Sequence, residues 1–561
     1  MSTTEAACFS TPEELGLRVE SLPFTVLPHQ SRLFLDYLQD PAALRRFYPS
    51  AVRFHHELSA RVPEVLAAHK TDRTALCDAL ETMNRIWGAT DDTLDNIARL
   101  RRDDCVAVVS GQQAGLFTGP LYTLYKALSA VKLAGCLQQR GTMAVPVFWI
   151  ATEDHDFAEV ASAEFIGRDC RLASVSAARE MHAEGAPVGT VILDDSINET
   201  VARLLDVLPE TEFTPDLESL LRDAWQPGRS YGEAFARMLT RLVGRYGLIL
   251  LDPRDAELKQ LAAPLYTEAA RRAPQIADAV EARSRELEAA GYHAQVLASK
   301  DSFPLFLHDE QGARHAVTRT SGDLYKARSM REEYTAAQLA EWSEREPARF
   351  SPNVTLRAVV QDYLLPTICY FGGAAEIAYF AQTSEVYRIL ERPVTPILPR
   401  ASLTIVSSRT GRTLERYNLN LTDFFAGLDN VLARVVEEHL GAETAQAFTH
   451  TETVLMNELN ALKAQLEQVD STLAAALETG RRKITYQMES LRTRFHRAQL
   501  QRDRAAHRQL ERAFAALYPN KALQERHINI TSLLARYGAY VIEWIYNAVN
   551  ISSNDHQIVY L

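Results

Sequence analysis

VAVVSGQQAGLFTGPLYTLYKALSAVKLA, from Val106 to Ala134, decides the fold. Val106 to Val109 is a β-branched run with one alanine, the pattern of a strand buried on both faces. Gly111, Gly115 and Gly119 punctuate the stretch that follows. Pro120 stands where a first helical residue belongs, with Thr118 or Gly119 as the N-cap. Leu121, Leu124, Leu128, Val131 and Leu137 then recur at helical spacing. A strand feeding a helix through such a loop points backbone N–H groups and the positive helix end at one spot, which suits phosphate or carboxylate. Ser110, Gln112 and Gln113 add hydroxyl and amide donors beside it. The same glycines also suit a tight turn with no ligand. The loop is neither GxxxxGK[ST] nor GxGxxG, which disfavours a Walker-type nucleoside triphosphatase and a dinucleotide oxidoreductase.

The pattern repeats outward. Val145 to Ala151 (VPVFWIA) is a second buried strand and runs into TEDHDFAEV. Leu248 to Leu251 (LILL) is a third, ending in Asp252–Pro253. Val359 to Gln382 carries strand material, then Gly372–Gly373, then a helix, and Thr395 to Val406 (TPILPRASLTIV) closes the series. Strands alternating with helices predict an α/β fold with a mostly parallel sheet covered on both faces. Residues 1–104 read as a helical N-terminal part of the core, and 105–422 as the core itself. Two stretches interrupt it. Residues 160–235 mix strand-like ASAEFIG and TVILDD with helices, and 290–325 read as hairpins in HAQVLA and FPLFLHDEQGARHAV.

From 423 to 518 the chain is helical and rich in charge. Leu455, Leu459, Leu462, Leu466, Val469 and Leu473 alternate at four and three residues, as do Ile484, Met488, Leu491, Phe495 and Ala498. The two runs are out of phase by one position, with the N-cap cluster Asp470–Ser471–Thr472 between them. An antiparallel coiled-coil hairpin is expected; GRRK at 480–483 offers the alternative break. Residues 519–561 end in strand-like DHQIVYL and return to the core.

A chain of 561 residues is too long for one core and predicts about two to four domains. Hydrophobic content of 47% with 24% charged residues is that of a soluble globular protein. A net charge of −12 argues against a nucleic-acid partner. No apolar window of about 18 residues appears, which excludes a membrane helix. The N-terminal MSTTEAACFSTPEELGLRVE has no apolar core, so a secretory signal is not expected and the cytoplasm is. Cys8, Cys77, Cys105, Cys136, Cys170 and Cys369 form no CxxC pair, which argues against a disulfide framework or a zinc pattern. Cys105 borders the opening motif, where a small core residue is the better reading than a catalytic thiol.

Ligands in open parallel sheets bind beyond the carboxyl ends of the strands. Glu153, Asp154, His155 and Asp156 follow the second strand and fall there. Acidic groups at that place could hold an ammonium group or Mg²⁺, and His155 could act as a base; they also suit an N-cap with solvated charges. Gly372 and Gly373 allow close backbone approach before Glu376, Tyr379 and Gln382. Arg400 and Ser402 follow the fifth strand, and Arg suits bidentate contact with phosphate or carboxylate, or a plain ion pair.

SGQQAGLFTGPLYTLYKA, VPVFWIATEDHDFAEV, SPNVTLRAVVQDYLLPT, EIAYFAQ and ILPRAS resemble the blocks of the BshC family, the cysteine ligases of bacillithiol biosynthesis. LPHQSRLFLDYL, LQERHINITSLLARYG and HQIVYL also fit, so the resemblance covers nearly the whole chain. It implies a Rossmann-like core with two connecting-peptide insertions, and a C-terminal coiled coil that mediates homodimerisation. This layout is similar to class I aminoacyl-tRNA synthetases. The implied reaction joins the carboxyl group of cysteine to the amine of glucosaminyl-malate. Amide formation from a free carboxylate needs activation, for which ATP (or ADP as the bound nucleotide) is expected, with Mg²⁺ as a candidate ion. On this reading the Ser110–Gly119 loop, with Thr118 and Tyr122, holds nucleotide phosphate or the cysteine carboxylate. Glu153, Asp154 and Asp156 bind an ammonium group or metal, His155 deprotonates the amine, and Arg400 offsets phosphate charge. Gly372, Gly373, Glu376, Gln382 and Ser402 complete the binding surface. A non-catalytic nucleotide-binding scaffold and a nucleotide-sugar transferase are the other readings of the same fold.

Overall fold

The computed structural model describes residues 17–561 apart from Ala298 and Ser329; Cys8 and the N-terminal leader reading lie outside the described residues. Five parallel strands form the central sheet: β1 (Val106–Gln112), β2 (Ala144–Ile150), β3 (Ile249–Leu251), β4 (Thr367–Gly372) and β5 (Ile397–Pro399). Their spatial order is β5-β4-β1-β2-β3. The chain runs one way from β1 to β3 and then jumps to the other side of β1. The resulting switch point between β1 and β4 opens a crevice at their carboxyl ends. β1 and β2 pair from Val106↔Ala144 to Gln112↔Ile150, and all of their residues but Gln112 are buried.

β1 runs on past Val109, so Ser110, Gly111 and Gln112 are strand rather than loop. The backbone then makes one tight turn at Leu116–Thr118 and enters α1 (Leu121–Gln139). Pro120 has an extended ψ of 159° and is the N-cap, not the first helical residue. Phe117, Thr118 and Gly119 have φ of 52°, 75° and 71°. Side chains with a Cβ rarely adopt this left-handed region. What holds it is Asn529, whose Nδ2 donates to the carbonyls of Leu116, Phe117 and Gly119 at 3.2, 3.0 and 2.7 Å. The strained turn is thus a socket for the C-terminal segment.

Five further helices matter for the cleft and the hairpin domain: α2 (Ala256–Arg271), α3 (Val354–Leu364), α4 (Ala374–Ile389), α5 (Ala442–Val469) and α6 (Ser471–Arg502). The first interruption of the core holds an antiparallel pair, Ser162–Ile166 with Leu172–Ser176, followed by helices. TVILDD is not a strand; Ile192 makes a single bridge to Ser230. The second interruption is a five-stranded antiparallel sheet built from Ser302–His308, Arg314–Ser321, Leu324–Ala327, Glu333–Thr335 and Phe350–Pro352. It therefore extends to Pro352, past 325, and HAQVLA contributes no strand among the described residues.

The chain divides into two compact units. The first contains the sheet, both interruptions and Gln524–Val559, which comes back after the helical region. The second is essentially Ile405–Leu523, with 169–171 and 560–561. It starts ahead of residue 423 because helix Ser408–Arg416 packs on helix Arg504–Leu517. Within it α5 and α6 form an antiparallel hairpin. Asp470 caps α6 through the Thr472 N–H at 2.7 Å, and the pairs Lys463–Glu478 and Arg492–Glu452, at 2.9 and 3.1 Å, cross between the two helices. GRRK lies inside α6 and breaks nothing.

The Asn529 amide predicts the cost of losing it. Asn529→Ala leaves three carbonyls without their shared donor and should lower stability by about 1–3 kcal/mol. Amide exchange at residues 116–121 should accelerate selectively; unchanged protection there would contradict the socket.

Candidate active site

Three cavities adjoin at the carboxyl ends of the strands, all within the first unit. The central one, about 370 Å³, lies at the switch point between Gly111–Gln113, Tyr122 and Lys126 on one side and Tyr370, Gly373, Glu376 and Tyr379 on the other. A second, about 480 Å³, lies beneath the five-stranded insertion sheet and shares Trp149, Ala151, Asp154, Val354 and Arg357 with the first. A third, about 340 Å³, lies beside Gly115 and Gly119 and shares Gln112, Gln113, Tyr122 and Arg526 with the first.

Lys126 sits inside an otherwise apolar face of α1, with its side chain only 3% exposed. A buried ammonium needs a counter-charge and acceptors. It pairs with Glu376 and donates to Gly111 O and Gln112 Oε1, both at 2.8 Å. Glu376 is the third residue of α4 and reaches back to the Gly373 N–H at 2.8 Å, closing the helix start; it also accepts from the Tyr370 hydroxyl at 2.7 Å. Burial alone would raise its pKa, but Lys126, the Gly373 amide and Tyr370 overcome this and hold it below the usual carboxylate range. The pair ties α1 to α4 across the switch point.

Arg357 of α3 stands on the wall between the central and second cavities. Its Nη1 donates to Gln361 Oε1 at 3.2 Å, while its buried Nη2 has no hydrogen-bond partner among the described residues. The guanidinium lies 5.3 Å from the Tyr370 ring centre and 6.0 Å from that of Trp149. Neighbouring Tyr370, Tyr379 and Glu376 outweigh the effect of burial and keep it charged.

The acidic cluster after β2 divides by partner. Glu153 turns inward and pairs with Lys259 of α2, which also donates to Phe350 O at 2.6 Å. Asp154 faces the cleft, where the Gln113 amide holds it at 2.6 Å. His155 faces the second cavity with 44% of its side chain exposed, its ring 6.3 Å from that of Phe306. Burial first, and then the nearby Arg314, lower its pKa and keep the imidazole neutral near pH 7. Asp156 caps the short helix Phe157–Val160 through the Glu159 N–H at 3.2 Å.

The chain that builds this cleft matches two family models end to end. Residues 17–401 match "Bacillithiol biosynthesis BshC, N-terminal Rossmann-like domain", and 403–561 match "Bacillithiol biosynthesis BshC, C-terminal coiled-coil domain". The chain belongs to the BshC family. It is 37% identical over 540 residues to a protein of Koribacter versatilis, covering 96% of this chain and 99% of that one. A protein of Salinibacter ruber is 35% identical, covering 94% and 96%. One of Solibacter usitatus is 37% identical, covering 95% and 98%. Each is named "Putative cysteine ligase BshC".

In this BshC chain several expected site residues have other tasks. The ammonium expected for Glu153 is the protein's own Lys259, and Asp156 is a helix cap. Arg400 lines the central cavity and is already paired: Glu525, only 2% exposed, takes its Nη1 and Nη2 at 3.1 and 2.8 Å. Ser402 donates to the same carboxylate at 2.9 Å and does not line the cleft. The expected anion spot at the start of α1 is filled, because the Leu121 N–H donates to Ile528 O at 2.9 Å. Ser110 bridges β1 to Phe371 O at 2.9 Å. Thr118 belongs to the strained turn, and Gly372 packs on Ile397. Gln382 is buried against Ser284 and Val296 and holds Val296, which lines the second cavity.

On the cleft, beside the paired Glu153 and Arg400, are Gly111, Gln112, Gln113, Gly115, Gly119, Tyr122, Asp154, His155, Gly373, Glu376 and Tyr379. A Cβ on Gly111 would stand 2.6 Å from Trp149 O, so only glycine lets β1 and β2 approach there. Lys126, Arg314, Arg357, Glu525 and Arg526 were not singled out from sequence, though a charge within apolar LYTLYKALSAVKLA or VTLRAVV was a visible signal. Burial pushes the Cys105 thiol up to about 12, which fits a core residue. Among the described residues no group of three or more His, Cys, Asp or Glu side chains converges as a metal site.

Removing one partner of a buried ion pair leaves a stranded charge. Lys126→Met should therefore cost about 3–5 kcal/mol, and Lys126→Met/Glu376→Leu should recover most of it; an equal loss in both variants would contradict the pairing. His556 lies between Ser402 and Thr404, 2.8 Å from each, and burial pushes its pKa down to about 4. It is neutral when folded and takes a proton on unfolding below its ordinary value of about 6.5. Its contribution is thus complete above that pH and is lost as pH falls toward about 4. The denaturant midpoint should decline across this window, and less steeply in His556→Gln.

Proposed function

We propose that this BshC-family chain is a ligase that joins the carboxyl group of L-cysteine to the amine of glucosaminyl-malate, forming bacillithiol with ATP-dependent activation of the carboxylate. The observation that carries this reading is the buried Nη2 of Arg357, a guanidinium nitrogen without a hydrogen-bond partner among the described residues, at the crevice of a parallel sheet. A buried donor left unpaired costs about 1–3 kcal/mol, and an anionic ligand oxygen would satisfy it. The names of the relatives and the two matched domains support cysteine ligation in bacillithiol biosynthesis.

Bound ATP supplies the leaving group that turns a carboxylate into an acyl donor. The chain's own residues do the rest. Arg357 holds an anionic oxygen and offsets charge that builds on it. Asp154, fixed by Gln113, faces a substrate ammonium group. Neutral His155 takes a proton from the attacking nitrogen as the C–N bond forms. The hairpin leaves Val454, Leu462, Val469, Leu473 and Leu491 exposed, which supports a homodimer formed through it. The reading places the enzyme in the cytoplasm.

Purified protein given cysteine, glucosaminyl-malate and ATP should yield bacillithiol with matching nucleotide turnover. His155→Ala should lower the rate about 10²–10⁴-fold without changing stability. Absence of product with the correctly folded wild type would favour the scaffold reading and overturn this one.

A further inference from the structure

The cleft has three adjoining cavities, and the second is chemically unlike the other two. It is the largest, about 480 Å³, and its walls are mostly apolar: Trp149, Ile276, Val280, Phe303, Phe306 and Val317. The central and third cavities are lined by amides, carboxylates and hydroxyls such as Gln112, Gln113, Tyr122, Glu159 and Glu164. Burying a hydroxyl or an amine against apolar walls costs several kcal/mol unless it finds a partner. The hydroxyl groups of an amino sugar therefore belong in the polar cavities. Cysteine has too few atoms to fill a space of 480 Å³. A planar, largely apolar ring system suits aromatic walls of this size.

Two arginines, Arg314 and Arg357, are among the residues that line this cavity. Arg314 donates through Nε to Ser351 Oγ at 3.0 Å and through Nη2 to Pro352 O at 2.8 Å, its guanidinium 3.8 Å from the Phe306 ring centre. None of these contacts is to a carboxylate. Arg357 brings its unpartnered Nη2 to the wall shared with the central cavity. Of the acids nearby, Glu153 is matched by Lys259, which leaves Asp154 against two guanidinium groups. A ligand with an uncharged planar ring and an anionic tail matches both the apolar walls and the arginines of the cavity.

We propose that the cavity beneath the five-stranded insertion sheet is the nucleoside-phosphate site, with the base between the apolar walls and the phosphates reaching Arg357 at the junction with the central cavity. The insertion is then a nucleotide-binding element rather than a surface ornament of the core. The inference rests on the ATP-dependent reading above and assigns its nucleotide to one place. Ser302 and Thr318 also line the cavity and can offer hydroxyls to the edge of a heterocycle.

Ala316 and Thr318 are exposed residues of strand Arg314–Ser321 that line the cavity, so a large side chain at either can fill it without disturbing the buried core. Isothermal titration of the full-length protein with ATP, ADP and adenosine reads binding without depending on product. Ala316→Trp should weaken all three at least tenfold, and Thr318→Trp should act in the same direction, with thermal unfolding unchanged. Arg357→Leu should weaken ATP and ADP while leaving adenosine within about twofold. Unaltered ATP binding in both tryptophan variants would overturn the site but leave the ligase reading standing. Failure of the wild type to bind any of the three, with or without cysteine, would overturn this inference; if product still forms from cysteine and glucosaminyl-malate without ATP, the nucleotide requirement falls while the ligation stands.

Discussion

A charge removed from water must meet an opposite charge, and the cleft is arranged around that constraint. Three buried ion pairs surround it. Lys126–Glu376 joins α1 to α4, Lys259–Glu153 joins α2 to the segment after β2, and Arg400–Glu525 joins the segment after β5 to the returning C-terminal chain. Each pair links pieces of chain that are remote in sequence, and together they fix the walls at the switch point. Arg357 lies where two cavities meet, and its buried Nη2 has no hydrogen-bond partner among the described residues.

The fold was legible in sequence where local physics determines it. β-branched and apolar runs of strand length gave β1, β2 and β3, and the helix after the Gly119–Pro120 step gave α1. The hairpin of α5 and α6 was legible because Asp470 marks its turn and the apolar runs change phase there. TVILDD failed because an apolar run of that length has no sheet edge to join and makes only one bridge. The strained turn at Phe117–Gly119 could not be read locally, since the residue that stabilises it is Asn529, more than 400 positions away.

The site was legible as residue types and as a place, but not as partners. EDHDF did fall at the carboxyl end of β2, yet the roles of its members depend on residues that periodicity does not reveal. Glu153 finds Lys259 across 106 positions, and Arg400 finds Glu525 across 125. Such pairings turn apparent catalytic groups into supports. The resemblance to BshC identified the family, whereas the assignment of tasks required the geometry. Of the acidic cluster, Asp154 lines both the central and the second cavity, and His155 lines the second.

The central claim is that the Arg357 guanidinium meets an anion during amide formation. Steady-state turnover of Arg357→Ala, measured with and without added guanidinium ion, tests it most directly. The account predicts a kcat/KM at least a hundredfold below wild type that rises severalfold with guanidinium, since the ion can enter the vacated space and restore the charge. A variant that turns over at the wild-type rate would contradict it.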